Sequence, residues 1–216
     1  MQDITVSENL IRFLIFLPLF FLSIALHEFA HAYFADKFGD STPRSQGRLT
    51  LNPLKHIDLI GTVLMPFAAF ASGLPLIGWA KPVMINRNNF RNPYKDDAIV
   101  SFAGPLSNFL LALVFLILLS IMINIAGAAG SGLLITTMLY GIYLNVFLFL
   151  FNLLPIPPLD GSHILFNLYP NKYTAMLVNL GFYGSIVLLL FIWSPLWKYF
   201  SGLIMAVYSF LVGVFV

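Results

Sequence analysis

The 216-residue chain contains no cysteine. That removes disulfides and thiolate ligands together, so any metal it holds must sit on nitrogen and oxygen donors. Charge is scarce as well. Only 9% of the residues are Asp, Glu, Lys or Arg, against about 25% in an ordinary soluble domain. The net charge of +2 includes no basic run, which excludes the electrostatic footprint of a nucleic-acid binder. The first nine residues are polar and acidic, unlike the positive start of a signal peptide, so the first apolar segment is expected to be retained. No soluble domain, long linker or low-complexity tract interrupts the chain.

Apolar residues make up 59% of the chain, and the mean hydropathy is +0.89. This is the composition of a polytopic membrane protein, with membrane lipid as its surroundings. A first helix is expected over residues 8–38, kinked at Pro18 and stopped by Gly39. Residues 40–56 form a polar loop with Arg44, Arg48 and Lys55. Residues 57–77 are apolar but broken by Gly61, Pro66, Gly73 and Pro75. Basic residues flank that segment on both sides, so a re-entrant hairpin, which leaves both groups in the cytoplasm, is preferred to a span. Residues 79–86 look extended and read as an edge strand at the membrane surface. Certain spans follow at 98–126 and 133–154, joined by a short uncharged turn at 127–132. Three prolines, Pro155, Pro157 and Pro158, break the second of these before it resumes over 159–168. A helical hairpin over 174–216 closes the chain.

The expected fold is therefore an all-α polytopic membrane protein of about five to six transmembrane helices. It includes a re-entrant segment and a short membrane-associated β element. One domain covers residues 1–216, with a core at 8–168 and the hairpin at 174–216. The charge distribution places the N-terminus outside and residues 39–97 in the cytoplasm, with Asp160 near the cytoplasmic side.

The first helix carries Leu26-His27-Glu28-Phe29-Ala30-His31 within an almost wholly apolar run. On a helix, His27 and His31 stand at i and i+4 and project from one face, where they can share one metal ion. Glu28 lies beside the first histidine but off the ligand line, the place of a general base acting on water. Ionisable groups in such a segment are costly and mark a functional site by default. A pair of satisfied core histidines is the bland alternative, and it leaves Glu28 without a use.

Catalytic zinc usually has three protein ligands and one open position. Few polar residues lie in apolar surroundings to supply the third: Asp160, His163, Asn108, Asn145 and Asn152. Asp160 stands beside the proline break, where irregular backbone is tolerated only if it is buried in protein or lines a cavity. It is read as a ligand, with a helix N-cap as the alternative and His163 as the fallback ligand. In Gly104-Pro105-Leu106-Ser107-Asn108, Pro105 suits a first helical turn and Gly104 permits close helix approach. Asn108 could stabilise an oxyanion or make a helix–helix hydrogen bond. His56 reads as a loop residue.

These three stretches, His27 to His31, Gly104 to Asn108 and Asn152 to Gly161 with its Leu159-Asp160-Gly161 core, resemble the site-2 protease family of intramembrane zinc metalloproteases. The resemblance covers residues of about 60 to 160 and the first helix. It implies one Zn2+ held by His27, His31 and Asp160, with Glu28 as catalytic base and Asn108 near the reaction centre. Residues 78–86, including Lys81, Pro82, Val83, Met84, Ile85 and Asn86, are similar to the extended segment with which the family pairs substrate backbone. The chain resembles the minimal bacterial or archaeal form, with no PDZ insertion and no CBS pair. The implied partners are proteins with transmembrane helices, cut in a prokaryotic cytoplasmic membrane at a site reached from the cytoplasm. The rival reading is a non-catalytic membrane protein that binds or transports a metal.

Overall fold

The computed structural model describes residues 6–72, 78–126 and 132–215. The breaks expected at Gly73 and Pro75, and most of the turn expected at 127–132, lie outside the described residues. The helices are α1 (Val6–Lys37), α2 (Thr42–Ser45), α3 (Met65–Ser72), α4 (Pro93–Ala126), α5 (Gly132–Asn152), α6 (Asp160–Leu168), α7 (Lys172–Val178), α8 (Phe182–Trp193) and α9 (Leu196–Phe215). A π-helical stretch, Leu59–Leu64, leads into α3, and short 3-10 turns lie at Pro53–Lys55 and Arg87–Asn89.

Among the described residues four helices are long and apolar enough to cross a membrane, at Phe13–Lys37, Pro93–Asn124, Gly132–Asn152 and Leu196–Phe215. The α7–α8 pair makes a fifth if it is counted as one span, and it is bent by 88°. The sequence reads residues 174–193 as one continuous helix. The break comes at Gly181, whose φ of +54° turns the chain where a residue with a side chain would be strained. The helix over Pro18 continues unbroken. The apolar helix Leu59–Phe70 is about 18 Å long at 1.5 Å per residue, too short to cross a hydrocarbon core of about 30 Å. It rests on the first half of α1, where Phe13 stacks on Phe70 at 4.6 Å and meets Phe67 edge-on at 6.5 Å.

The packing of α1 against α4 positions the site. Both helices turn small residues inward. Ala25, Ala32 and Ala35 of α1 and Ala103 and Ala112 of α4 are buried, which lets two backbones approach without a hydrophobic drive from lipid. Beyond this contact the core is larger-grained: Leu19, Phe115, Leu116, Leu119, Ile142, Val146, Ile204 and Leu211 join α1, α4, α5 and α9. Gly141 of α5 leaves room for the Phe115 ring, whose atoms would lie 2.8–2.9 Å from a Cβ there.

The expected edge strand is a correction. Residues 79–86 are extended, but no strand exists among the described residues. The backbone finds scattered partners instead of a neighbouring strand. Trp79 N–H donates to Gly61 O (3.1 Å) and Lys81 N–H to His56 O (2.9 Å). The Trp79 carbonyl accepts from Thr62 Oγ1 (2.7 Å). Val83 N–H donates to a side chain, described below. Three N–H groups at alternate positions thus point into the protein, while between them, among the described residues, the N–H groups of Ala80 and Met84 carry no hydrogen bond and Pro82 has none to give.

The far end of this segment is tied to α1 through Asp40. Gly39, with φ +113°, ends α1 in a Schellman turn, with Asp40 N–H on Ala35 O (2.9 Å) and Gly39 N–H on Asp36 O (3.2 Å). The fully buried Asp40 carboxylate then accepts from Thr42 N, Thr42 Oγ1, Asn89 Nδ2 and Asn86 N at 2.5–3.1 Å. Burial raises the Asp40 pKa, but these donors outweigh it, led by the Thr42 hydroxyl, and hold the carboxyl below its ordinary value. Because the folded pKa is depressed, the stabilisation is full above the unfolded pKa of about 3.9 and lost as pH falls through the folded value. Asp40→Asn puts an amide donor against Asn86 N–H in at least one orientation. It should destabilise the detergent-solubilised protein by about 2–3 kcal/mol at neutral pH. Thermal unfolding should show that gap narrowing below about pH 4.

Candidate metal centre

His27, Glu28 and His31 lie past the midpoint of α1, and all three are buried. The Nε2 atoms of His27 and His31 are 3.0 Å apart. Asp160, the first residue of α6, brings Oδ2 to 3.2 Å from His27 Nε2 and Oδ1 to 3.4 Å from His31 Nε2. One ligand atom from each of the three lies within 4.8 Å of the others. Residues 129 or more positions apart in sequence are thus brought to one point by α1 and α6.

The other ring nitrogens decide what this point can hold. His31 Nδ1 is 2.8 Å from Val100 O, which can only accept. His27 Nδ1 is 2.6 Å from Asn108 Oδ1. The Asn108 amide hydrogens are both spent, on Ser23 O (3.2 Å) and Asn145 Oδ1 (3.0 Å), so its oxygen faces the ring. Each imidazole therefore carries its proton on Nδ1 and turns an Nε2 lone pair inward. In the singly protonated form two lone pairs and a carboxylate face one another. Asp160 Oδ2 is buried without a hydrogen bond. Three such acceptors grouped in an apolar bundle are suited to hold a cation. Two imidazoles and a carboxylate, with an open fourth position, are a donor set that fits zinc.

Gly104 makes the space. A Cβ there would lie 2.3 Å from His31 Nε2 and 2.7 Å from His27 Nε2. The close approach expected of Gly104 is thus an approach to the imidazoles themselves. Gly161 plays a similar part for Asp160. Its missing Cβ would lie 2.3–2.4 Å from the Leu153 and Leu154 carbonyl oxygens, so the loop after α5 folds directly onto the start of α6. Leu159, not Asp160, is the N-cap of α6, and no side chain caps it. The N-cap use of Asp160 is thereby not realised, and its carboxylate is left for the site.

Asn108 sits where a helix–helix hydrogen bond was one of its two readings. It links α4 to α1 through Ser23 and to α5 through Asn145, whose own amide donates to Gly141 O at 2.9 Å. Glu28 Oε2 accepts from Val83 N–H at 2.8 Å, so the extended segment lies directly against this carboxylate. Val83 is buried, while Lys81, Pro82, Met84 and Asn86 are exposed. His163 is exposed and His56 is buried in its loop, with Nε2 donating to Thr50 O at 2.9 Å; neither joins the cluster. Sequence reasoning did not assign Val100, Asn145 or Ser23. Two of these contribute through backbone carbonyls, which leave no side-chain signal. The third, Asn145, was visible only as a polar residue in an apolar run.

The segment beyond Val83 is clamped at Arg87. Its guanidinium lies over the Tyr94 ring at 4.2 Å and the Phe166 ring at 4.9 Å, joining the start of α4 to α6. Beside it Asn167 Nδ2 donates to Asp97 Oδ2 at 2.7 Å. The helix that carries Asp160 is therefore fixed at its far end against the same strip of chain that touches Glu28.

The chain matches the family model described as Peptidase family M50 over residues 119–192. That stretch includes Asp160 and leaves out the histidine pair. It is 44% identical over 184 residues to "Putative zinc metalloprotease YwhC" of Bacillus subtilis, covering 82% of this chain and 80% of that protein. To "Putative zinc metalloprotease Rip2" of Mycolicibacterium smegmatis it is 36% identical, over 65% of this chain and 51% of that one. To "Zinc metalloprotease MJ0392" of Methanocaldococcus jannaschii it is 28% identical, over 87% of this chain and 45% of that one. The chain thus spans about half the length of the last two. No solved structure matches it.

Gly104→Ala should fold yet hold far less zinc, because its methyl group occupies the space between the imidazoles. Asn108→Ala should weaken zinc binding by about 10–100-fold through loss of the His27 partner. Zinc content by atomic emission after dialysis against a graded chelator series checks both. Full retention of zinc by Gly104→Ala would contradict the site.

Proposed function

The chain belongs to peptidase family M50, the site-2 protease family, and we propose that His27, His31 and Asp160 hold its zinc ion while Glu28 serves as general base. It is an integral membrane zinc metalloprotease that hydrolyses peptide bonds of membrane proteins within or near their membrane segments. The observation that supports this set of residues is the meeting of two inward-facing Nε2 lone pairs and the unpaired Asp160 carboxylate oxygen. Zinc bound there supplies a Lewis acid that polarises the scissile carbonyl and brings the pKa of water towards ~7.

The chain's own residues do the rest. Val83 N–H holds Glu28 Oε2, and Oε1 carries no hydrogen bond among the described residues. Oε1 takes a proton as water attacks the carbonyl carbon and later gives it to the leaving nitrogen. Asn108 and the Val100 carbonyl hold both imidazoles in the Nδ1–H form, which leaves each Nε2 free to hold the metal ion. We assign Asn108 to this orienting role, since its amide hydrogens are already engaged. The outward edge of residues 81–86 is the place where an unwound substrate segment would pair, satisfying backbone groups that hydrocarbon leaves bare.

The substrate on this reading is a transmembrane helix that unwinds before cleavage. The catalytic unit is the core over residues 8–168. The hairpin 174–216 packs on it, as Ile204 and Leu211 of α9 do in the shared core. Arg44, Arg48, Lys55, Lys81, Arg87, Arg91 and Lys95 cluster in the loops at the histidine end of α1, which supports access from the cytoplasmic side of a prokaryotic cytoplasmic membrane.

Purified Glu28→Gln should retain one zinc per chain, since Glu28 is no ligand, and lose cleavage of single-span membrane peptides by at least about a thousandfold. Mass spectrometry of new peptide termini, with a chelator-treated wild type alongside, provides the readout. Undiminished cleavage by Glu28→Gln would refute the base. Metal flux through liposomes without new termini would favour a transporter.

A further inference from the structure

Beside the extended segment lies a cavity of about 430 Å³, lined by Gln46, Arg48, Lys81, Pro82 and Met84. No acidic side chain lines it. Arg48 is more than nine-tenths buried, and its Nη1 donates to the Lys55 carbonyl. Among the described residues no carboxylate lies within 4 Å of either Arg48 or Lys81. The acids of the same loops are committed elsewhere. Asp36 pairs with Arg44, Asp40 is saturated by Thr42, Asn86 and Asn89, and Asp58 caps the Leu59–Leu64 stretch through Ile60 N–H and Gly61 N–H. A guanidinium buried to this extent, with one carbonyl and no counter-charge, leaves its remaining N–H groups for an anionic group entering the cavity.

The position of the cavity says which anionic group. Three of its walls, Lys81, Pro82 and Met84, flank Val83, whose N–H rests on the Glu28 carboxylate. Pro82 and Met84 stand at alternate positions on the exposed side of the segment. A peptide extended along that edge advances about 3.3 Å per residue, so the side chain entering the cavity sits within about three residues of the bond at the base. We propose that Arg48 and Lys81 form a subsite for the carboxylate of an Asp or Glu side chain close to the cleaved bond, so that the protease selects substrates with an acid at that position. Guanidinium and ammonium contribute differently there. The planar Arg48 can take a carboxylate in two parallel hydrogen bonds, and the mobile Lys81 adds a point charge at the mouth. This inference rests on the proteolytic reading and on extended pairing along residues 81–86.

The test uses the full-length zinc-loaded protein in detergent and single-span peptides that differ only in Glu, Gln or Lys at each of three positions on either side of the cut bond. The kcat/KM ratio of the Glu to the Gln peptide should reach about tenfold at one position. Arg48→Gln and Lys81→Gln should each bring that ratio towards one, and Lys81→Glu should move the preference to the Lys peptide. Lys81 is exposed, so its variants keep the test open if Arg48→Gln fails to fold. A wild-type ratio near one at every position overturns the subsite, as does a preference that survives both Lys81 variants. The same reactions in phosphatidylcholine vesicles, with and without phosphatidylglycerol, separate a lipid phosphate from a substrate carboxylate. Activation by the anionic lipid that is lost in Lys81→Gln, with no Glu preference, overturns the proposal in favour of a headgroup site. No cleavage of any peptide by zinc-loaded wild type overturns the proteolytic reading and the subsite with it.

Discussion

Two imidazole lone pairs and one carboxylate point at a common centre, 3.0–3.4 Å from each other, inside a bundle of apolar helices. Among the described residues no other side chain or backbone group donates to Asp160 Oδ2. Everything nearby holds this unfavourable grouping together. The Val100 carbonyl and the Asn108 oxygen fix the protons on the outer ring nitrogens. Alanines at the α1–α4 contact bring those acceptors within reach, and Gly104 keeps the centre clear. The proline-interrupted loop, closing on Gly161, delivers Asp160. On the proposed ligand set an ion bound there would be a structural member of the bundle as well as the source of its chemistry, and folding and metal binding would be linked.

A second constraint joins this centre to the substrate side. The strip from Trp79 to Arg87 spends its inward N–H groups on Gly61, His56 and Glu28. Its far end is anchored twice, by Asp40 on Asn86 N–H and by the Arg87 stack. The position of Glu28 therefore depends on the position of this strip. Glu28 is held by a backbone donor, which no side-chain substitution at Val83 short of proline removes.

Much of this could be read from residue order alone because membrane chains leave few choices. With cysteine absent and charge rare, each polar residue in an apolar run is conspicuous. His27, Glu28, His31, Asn108 and Asp160 were all found in this way. The long helices followed from the apolar runs. What escaped depends on backbone groups or on distant partners. The Val100 carbonyl and the Val83 N–H have no signature in side-chain chemistry. Gly181 lies in an apolar stretch that gave no reason to break a helix at that residue. The expected strand over 79–86 failed for a related reason: extended propensity was legible, but the lack of a neighbouring strand among the described residues was not. Asp40 looked like one more loop acid, and its four donors come from residues two to 49 positions away.

The account stands on the identity of the ligands around one ion. X-ray absorption at the zinc K edge of the purified full-length protein reads them directly. We predict two imidazole nitrogens at about 2.0–2.1 Å, with oxygen donors at about 2.0–2.2 Å completing a four-coordinate shell. Asp160→Ala should retain the two-imidazole scattering pattern in whatever zinc it still binds, with a changed oxygen shell. A shell containing three or more imidazoles, or one unaltered by Asp160→Ala, would contradict the account.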